Sequence, residues 1–265
     1  MSGDAPRNDQ TMNARTAISF ATLLVVACLW YLITSATGWV GSARFPNPVE
    51  FGVALKQIAL TGYADARIHQ HVLQSFKLVL MGFAVAVSVG VPLGLLMGWN
   101  RRAEALLNPI FLIIRPIPPL AWIPLAIVWL GLGDAAKIMV IFFAAFVPSV
   151  INTYAGIRNI EPFLIEAARM LGVRGPRFVI EVLVPAAMPL IFTGLRLSLQ
   201  ASWTTLVAAE LVGALLGLGQ VLNAAAQDLF PAMILTGMVF VALSGAASTW
   251  LLGKVEQRVM RWRAA

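Results

Sequence analysis

The sequence predicts an all-α integral membrane protein with six transmembrane helices and both termini in the cytoplasm. Three observations carry that prediction: the excess of apolar over charged residues, the length of the apolar runs, and the side on which arginine and lysine gather. Of 265 residues, 59% are hydrophobic and only 12% charged, with a mean hydropathy of +0.82. Water-soluble chains do not reach that balance. A span needs about 20 mostly apolar residues to cross roughly 30 Å of hydrocarbon. Residues 16–43, 78–100, 138–157 and 229–253 carry no charge, and residues 105–130 and 186–209 carry one arginine each, Arg115 and Arg196. The spans are therefore placed at about 17–36, 75–99, 105–130, 137–157, 186–209 and 230–253. Residues 1–15 form a cytoplasmic tail, and residues 16–265 form a single transmembrane domain, since no composition break divides them.

Orientation follows from the basic residues. With the N-terminus inside, the inner segments hold Arg7, Arg15, Arg101, Arg102, Arg158, Arg169, Arg174, Arg177, Lys254, Arg258, Arg261 and Arg263, twelve of nineteen Lys and Arg. Only Arg44, Lys56, Arg67, Lys77 and Lys137 fall outside or near the outer boundary. Cytoplasmic loops concentrate such charges, so the net charge of +7 reports topology and not a nucleic-acid partner, which would need a basic soluble face. Small residues at Thr34 to Ala36 follow the first apolar core in the manner of a cleaved signal. The run is longer than such a core, however, and it is retained as a helix. Cys28 is the only cysteine, which excludes intrachain disulfides and thiolate clusters.

After the first span, Asn47, Pro48 and Glu50 have the spacing of an N-cap, an N1 proline and an N3 acid, predicting a short amphipathic helix up to Gly62 at the outer interface. His69 and His71 beside Asp65 are too few and too close for a metal site on a helix and read as a solvated helix start. In the second span, Gly82, Gly90, Gly94 and Gly98 share nearly one face, a small-residue stripe that lets two helices approach closely. In the third, Arg115 lies near the bilayer midplane and precedes Pro116, Pro118, Pro119 and Pro124. It either attracts an anion or satisfies carbonyls freed by the prolines. Arg196 has the same depth in the fifth span. Residues 211–227 are apolar and Gly-rich between two acids, a re-entrant or surface helix and not a seventh span.

Between the fourth and fifth spans lies a cytoplasmic loop, residues 158–185. Pro162 opens a short helix with Phe163, Leu164, Ala167 and Leu171 on one face, and Gly172 stops it. Pro176 opens a second helix ending before Pro185. The loop thus reads as helix, turn and helix projecting from the membrane, or as an amphipathic loop lying on anionic lipid. No phosphate-binding G-x-x-x-x-G-K-[ST] sequence occurs.

Glu166-Ala167-Ala168, Gly172, Val182, Val184 and Pro185 reproduce the spacing of the E-A-A-x3-G-x9-I-x-L-P motif, with valine at two sites. The chain so resembles the permeases of ABC importers. Arg115-Pro116-Ile117-Pro118-Pro119-Leu120-Ala121-Trp122 with Trp129, and Thr193-Gly194-Leu195-Arg196 with Trp203 and Val207-Ala208-Ala209-Glu210, resemble the nitrate, sulfonate and taurine branch, taurine permeases most closely. The resemblance implies the type I importer permease fold in the bacterial inner membrane. It further implies a cytoplasmic ABC ATPase dimer that holds ATP and Mg while this chain holds no cofactor and is no enzyme, a second permease copy forming a homodimer, a periplasmic solute-binding protein, and surrounding lipid. The helix with Glu166, Ala167, Ala168, Arg169 and Gly172, followed by Pro185, would couple to the ATPase. Arg115, Trp122, Arg196, Trp203 and Glu210 are candidates for the translocation path or its gate, for taurine or another sulfonate first, or for nitrate, bicarbonate or another small organic anion. An ion-coupled secondary transporter, the rival class, should carry acids well inside its spans; none is found. A membrane-bound enzyme would need clusters of His, Cys or acids, which the sequence lacks.

Overall fold

A computed structural model of the chain describes residues 7–36, 41 and 45–261. Arg44, Arg263 and residues 1–6 of the expected tail lie outside the described residues. Eleven helices follow one another among the described residues: α1 (Arg7–Tyr31, extended by a π-turn over Leu32–Ala36), α2 (Pro48–Leu60), α3 (Ile68–Trp99), α4 (Arg101–Ile114), α5 (Ile123–Leu130), α6 (Asp134–Arg158), α7 (Pro162–Met170), α8 (Pro176–Phe178), α9 (Val184–Gly213), α10 (Leu218–Gln227) and α11 (Pro231–Val259). Five of the resulting helical stretches are long and apolar enough to cross a membrane unbroken, and α4 with α5 forms a sixth, bent by 83°.

The glycine stripe sets the centre of the fold. A β-carbon built at Gly82, Gly90, Gly94 or Gly98 would lie 2.5 Å from Ile141 Cγ2, 2.9 Å from Ser149 Cβ, 2.7 Å from Thr153 Cβ or 2.6 Å from Ile157 Cβ, respectively. Only glycine permits this approach of α3 to α6. The partner numbers rise together, so the two helices are parallel. At the outer end of the same pair Gln74 donates to Asp134 across 2.9 Å. Between that level and Gly98 lies about 36 Å of helix at 1.5 Å per residue, enough to cross the hydrocarbon. The chain leaves α3 at the inner end and starts α6 at the outer end. Residues 101–130 therefore return it across the whole bilayer.

That return is not the continuous helix expected over 105–130. α4 stops at Ile114, a 3-10 turn covers Pro119–Trp122, and α5 follows. Pro116, Pro118, Pro119 and Pro124 supply no N–H and clash with the preceding turn, so the span breaks where they cluster. At its inner end α4 is held by Glu104, which receives two bonds from Arg158 at 2.9 and 2.7 Å and one from Tyr154 on α6.

α6 and α9 are antiparallel: Gly156 meets Ala187, Gly194 meets Asn152, and the Ser198 hydroxyl donates to the Ala145 carbonyl at 2.7 Å. Here too the structure corrects an expectation, because the helix opened by Pro176 does not end before Pro185. It passes through a π-turn over Val179–Leu183 into α9, giving one helix from Pro176 to Gly213. Pro185, which cannot donate, sits where the wide turn hands back to α geometry, and there the missing N–H disrupts little. α11 runs antiparallel to α9, with the Trp203 indole donating to Ser248 at 3.1 Å.

α2 forms as its local sequence dictates. The Asn47 side chain accepts from Glu50 N at 2.8 Å, the Glu50 carboxylate accepts from Asn47 N at 3.1 Å, and Pro48 opens the helix. Its buried face, Ala54 and Ile58, packs on Val221, Ala225 and Met233 of α10 and α11. Residues 211–227, expected as a re-entrant or surface helix, are divided: α9 runs on to Gly213, and α10 buries Leu218, Val221 and Ala225.

Candidate functional site

The loop between α6 and α9 is built around one buried alanine. Ala168 on α7 packs with Ile157 and Ile160 at the end of α6, and with Phe178, Leu183 and Ala187 of the α8–α9 stretch. α7 is thereby clamped between two spans. Its end is fixed by two bonds, Gly172 N to the Arg169 carbonyl at 3.0 Å and Val173 N to the Ala168 carbonyl at 3.1 Å. This is a Schellman termination, with Val173 closing the apolar contact onto Ala168. Gly172 has φ +79 and open space around it, so its backbone angle alone demands glycine.

The apolar stripe expected on α7 faces away from the bundle. Phe163, Leu164 and Leu171 are exposed, Phe163 and Leu171 by 76% and 84%, and Met170 beside them by 80%. Glu166 and Arg169 stand on the same outward surface and form no ion pair among the described residues. Ala167, Ala168, Glu181 and Pro185 line a groove of about 480 Å³ between α7 and the start of α9. An anchored short helix with an apolar and charged outer face suits contact with a partner or with a lipid surface.

The five residues expected along a path do not converge. Arg196 is bonded to Glu256 on the last turns of α11, so its charge is compensated within the chain. Trp203 is 5% exposed and belongs to the core with Leu78, Ile141 and Leu206. Trp122 stacks on Phe143, the rings 4.0 Å apart and 7° from parallel. Arg115 caps α4 at the break of the span, its N–H donating to the Phe111 carbonyl at 2.9 Å; its side chain is exposed and makes no hydrogen bond or ion pair among the described residues. The alternative that its guanidinium satisfies freed carbonyls has no contact behind it here.

Glu210 is the surprise. No acid was expected inside a span, yet it is wholly buried within α9. The Ser75 hydroxyl donates to it at 2.8 Å, and Gly219 N donates at 2.7 Å. Leu218 N in turn donates to Ser75 Oγ at 2.8 Å and Gly217 N to His71 Nδ1 at 3.2 Å. His71 is thus not a solvated helix start but fully buried. Because Nδ1 accepts, Nε2 carries the proton and donates to the Tyr63 carbonyl at 2.9 Å. Both ring nitrogens are engaged, leaving none for a metal. Above them Tyr63 donates to Asp228 and stacks edge-on against Phe230. Burial and the adjacent carboxylate push the phenol pKa above its ordinary value. The sequence held one signal for this assembly: His71 and Ser75 share a helix face four residues apart, and Gly217 and Gly219 flank a helix start.

Comparisons with known proteins bear on the family and the fold. Residues 90–261 match the sequence model of the family described as binding-protein-dependent transport system inner membrane component. The taurine transport system permease protein TauC of Escherichia coli is 34% identical over 253 residues, covering 95% of this chain and 91% of that protein. The putative aliphatic sulfonates transport permease protein SsuC of Bacillus subtilis is 32% identical, covering 90% and 85%. The bicarbonate transport system permease protein CmpB of Synechococcus elongatus is 31% identical, covering 92% and 88%. Among solved structures, an inward-facing MetNI methionine ABC transporter chain aligns with a TM-score of 0.60 and 24% identity, over 73% of this chain and 94% of that one.

Proposed function

Because the chain belongs to the binding-protein-dependent inner-membrane components, the type I ABC importer permeases, we propose that it carries a small anion, taurine or another sulfonate first, across the inner membrane. The chain performs no covalent chemistry. A partner ATPase dimer holds ATP and Mg, a second copy of this chain completes the pathway, and a periplasmic solute-binding protein delivers the cargo. The ligand moves because the two conformations bind it with different affinity, and nucleotide in the partner biases which one is populated.

The coupling role rests on α7. Its outward Phe163, Glu166, Arg169 and Leu171 meet the ATPase, while Ala168 is wedged between the inner ends of α6 and α9. A push on α7 therefore reaches two spans at once.

The observation that carries the anion reading is Arg115. Of the two arginines within the spans, Arg196 is neutralised by Glu256 and Arg115 is not. A bare cation at membrane depth needs water or an anion. The three relatives named for taurine, aliphatic sulfonates and bicarbonate have different cargoes that share an anionic group, which supports the same reading. The test is uptake of labelled taurine, an alkanesulfonate, nitrate and bicarbonate by proteoliposomes holding permease, ATPase and binding protein. We expect saturable taurine uptake and at least a tenfold fall in the Arg115→Gln variant with assembly retained. Undiminished uptake by that variant, or loss of assembly with it, would remove Arg115 from the path.

A further inference from the structure

We propose that His71, Ser75 and Glu210 are positioning residues that hold the start of α10 shut against α3 and α9, and that the outer side opens by releasing them. The inference rests on the permease reading above. Three consecutive amides, Gly217, Leu218 and Gly219, would be the orphan donors of a helix start. Each instead ends on a side chain from another helix: His71 and Ser75 of α3 at 3.2 and 2.8 Å, and Glu210 of α9 at 2.7 Å. Ser75 welds the set together, accepting from Leu218 and donating to Glu210.

Four features distinguish this from inert packing. The seal joins three separate helices through side chains, and its three amide bonds, all from the start of α10, are released together by a rotation of that helix. Its closeness requires glycine, since a β-carbon at Gly217 or Gly219 would lie 2.2 or 2.5 Å from Glu210 atoms. The connection before it, from Ala214 to Gly217, begins extended and ends at φ +145, with buried Ala214 and Gly217 at its ends and Leu215 91% exposed between them. Finally, Glu210 is buried without an ion pair among the described residues, held by the Ser75 hydroxyl and the Gly219 amide. A neutral acceptor would satisfy the same amides at lower desolvation cost.

The site lies at the outer ends of α3, α9 and α11, opposite α7. In alternating transport the two ends open in turn, so the seal should be intact while the ATPase is empty and broken when ATP closes it. The experiment is hydrogen–deuterium exchange on the full complex in nanodiscs, nucleotide-free and trapped with MgATP and vanadate. Peptides covering residues 214–219 should exchange at least tenfold faster in the trapped state, with residues 221–227, bonded within α10, unchanged. Peptides over residues 163–171 report whether nucleotide reaches the permease at all. Response there with equal protection of 214–219 in both states overturns the seal alone. No response at either place overturns the coupling reading and the seal with it. In the resting complex, Glu210→Ala should raise exchange of Gly219 at least tenfold and raise ATP turnover without binding protein, whereas Glu210→Gln, which keeps an acceptor, should restore both. Identical behaviour of the two variants would make Glu210 a structural residue only.

Discussion

Replacing Gly94 by alanine should loosen the α3–α6 crossing. A β-carbon there lies 2.7 Å from Thr153 Cβ and 2.7 Å from the Val150 carbonyl oxygen, short of ordinary 3.4 Å contact by roughly 0.7 Å. One of those neighbours is backbone and cannot rotate away, so the helices must part. Overpacking of this kind costs about 1–3 kcal/mol. Alanine also gains about 0.5–1 kcal/mol of helix propensity over glycine, which would blur a simple comparison with wild type. The comparison that cancels it is Gly253→Ala in α11, where nothing lies within 4 Å. The two variants share the propensity gain and differ in the clash. Their difference should be about 1–3 kcal/mol, or roughly 2–12 °C in unfolding midpoint. Gly82→Ala should cost about as much, because its nearest atoms, at 2.5 and 2.7 Å, are Cγ2 and Cβ of β-branched Ile141, which cannot swing aside without moving the backbone. Thermal unfolding followed by tryptophan fluorescence in one detergent measures all three. Equal midpoints for Gly94→Ala and Gly253→Ala would refute the close crossing and the parallel pairing derived from it.

At Gly172, alanine must adopt φ +79 at a cost of about 1–2 kcal/mol, so Gly172→Ala should lower binding-protein-stimulated ATPase while Gly172→Asn, a residue tolerant of that angle, largely keeps it; equal rates would discount the turn. Arg196→Met or Glu256→Met alone strands a charge between α9 and α11, so each single change should destabilise more than the double change, as a thermal double-mutant cycle would reveal. Tyr63 has a raised pKa, so its bond to Asp228 contributes fully below the unfolded phenol value of about 10 and is lost as pH climbs through the folded value. The stability advantage of wild type over Tyr63→Phe should accordingly be constant from pH 7 to 9 and shrink above pH 10; an advantage that grows at alkaline pH would reverse the assignment.

Much of the fold was legible because it rests on local bonds. Asn47, Pro48 and Glu50 cap α2 through bonds spanning three residues. Gly172 stops α7 through its own backbone angle. The prolines from 116 to 124 marked a weak point in the third span, though not its 83° bend, which depends on what α4 and α5 each pack against. Pro185 misled for a related reason: a proline ends a regular helix, but a π-turn ahead of it absorbs the loss.

The candidate site divides the same way. The outward face of α7 is a matter of sequence spacing, whereas the seal at α10 is not. Glu210 and Ser75 are 135 residues apart, His71 and Gly217 are 146 apart, and Arg196 and Glu256 are 60 apart. By itself the sequence determined that the chain lives in a bilayer, how many times it crosses and which side its basic loop faces, since transfer energies and charge bias add up residue by residue along the chain. The tertiary structure decided which polar groups are buried and with whom, because that depends on helix register, and register is set where the glycines of α3 admit α6 and where α6 in turn carries α9.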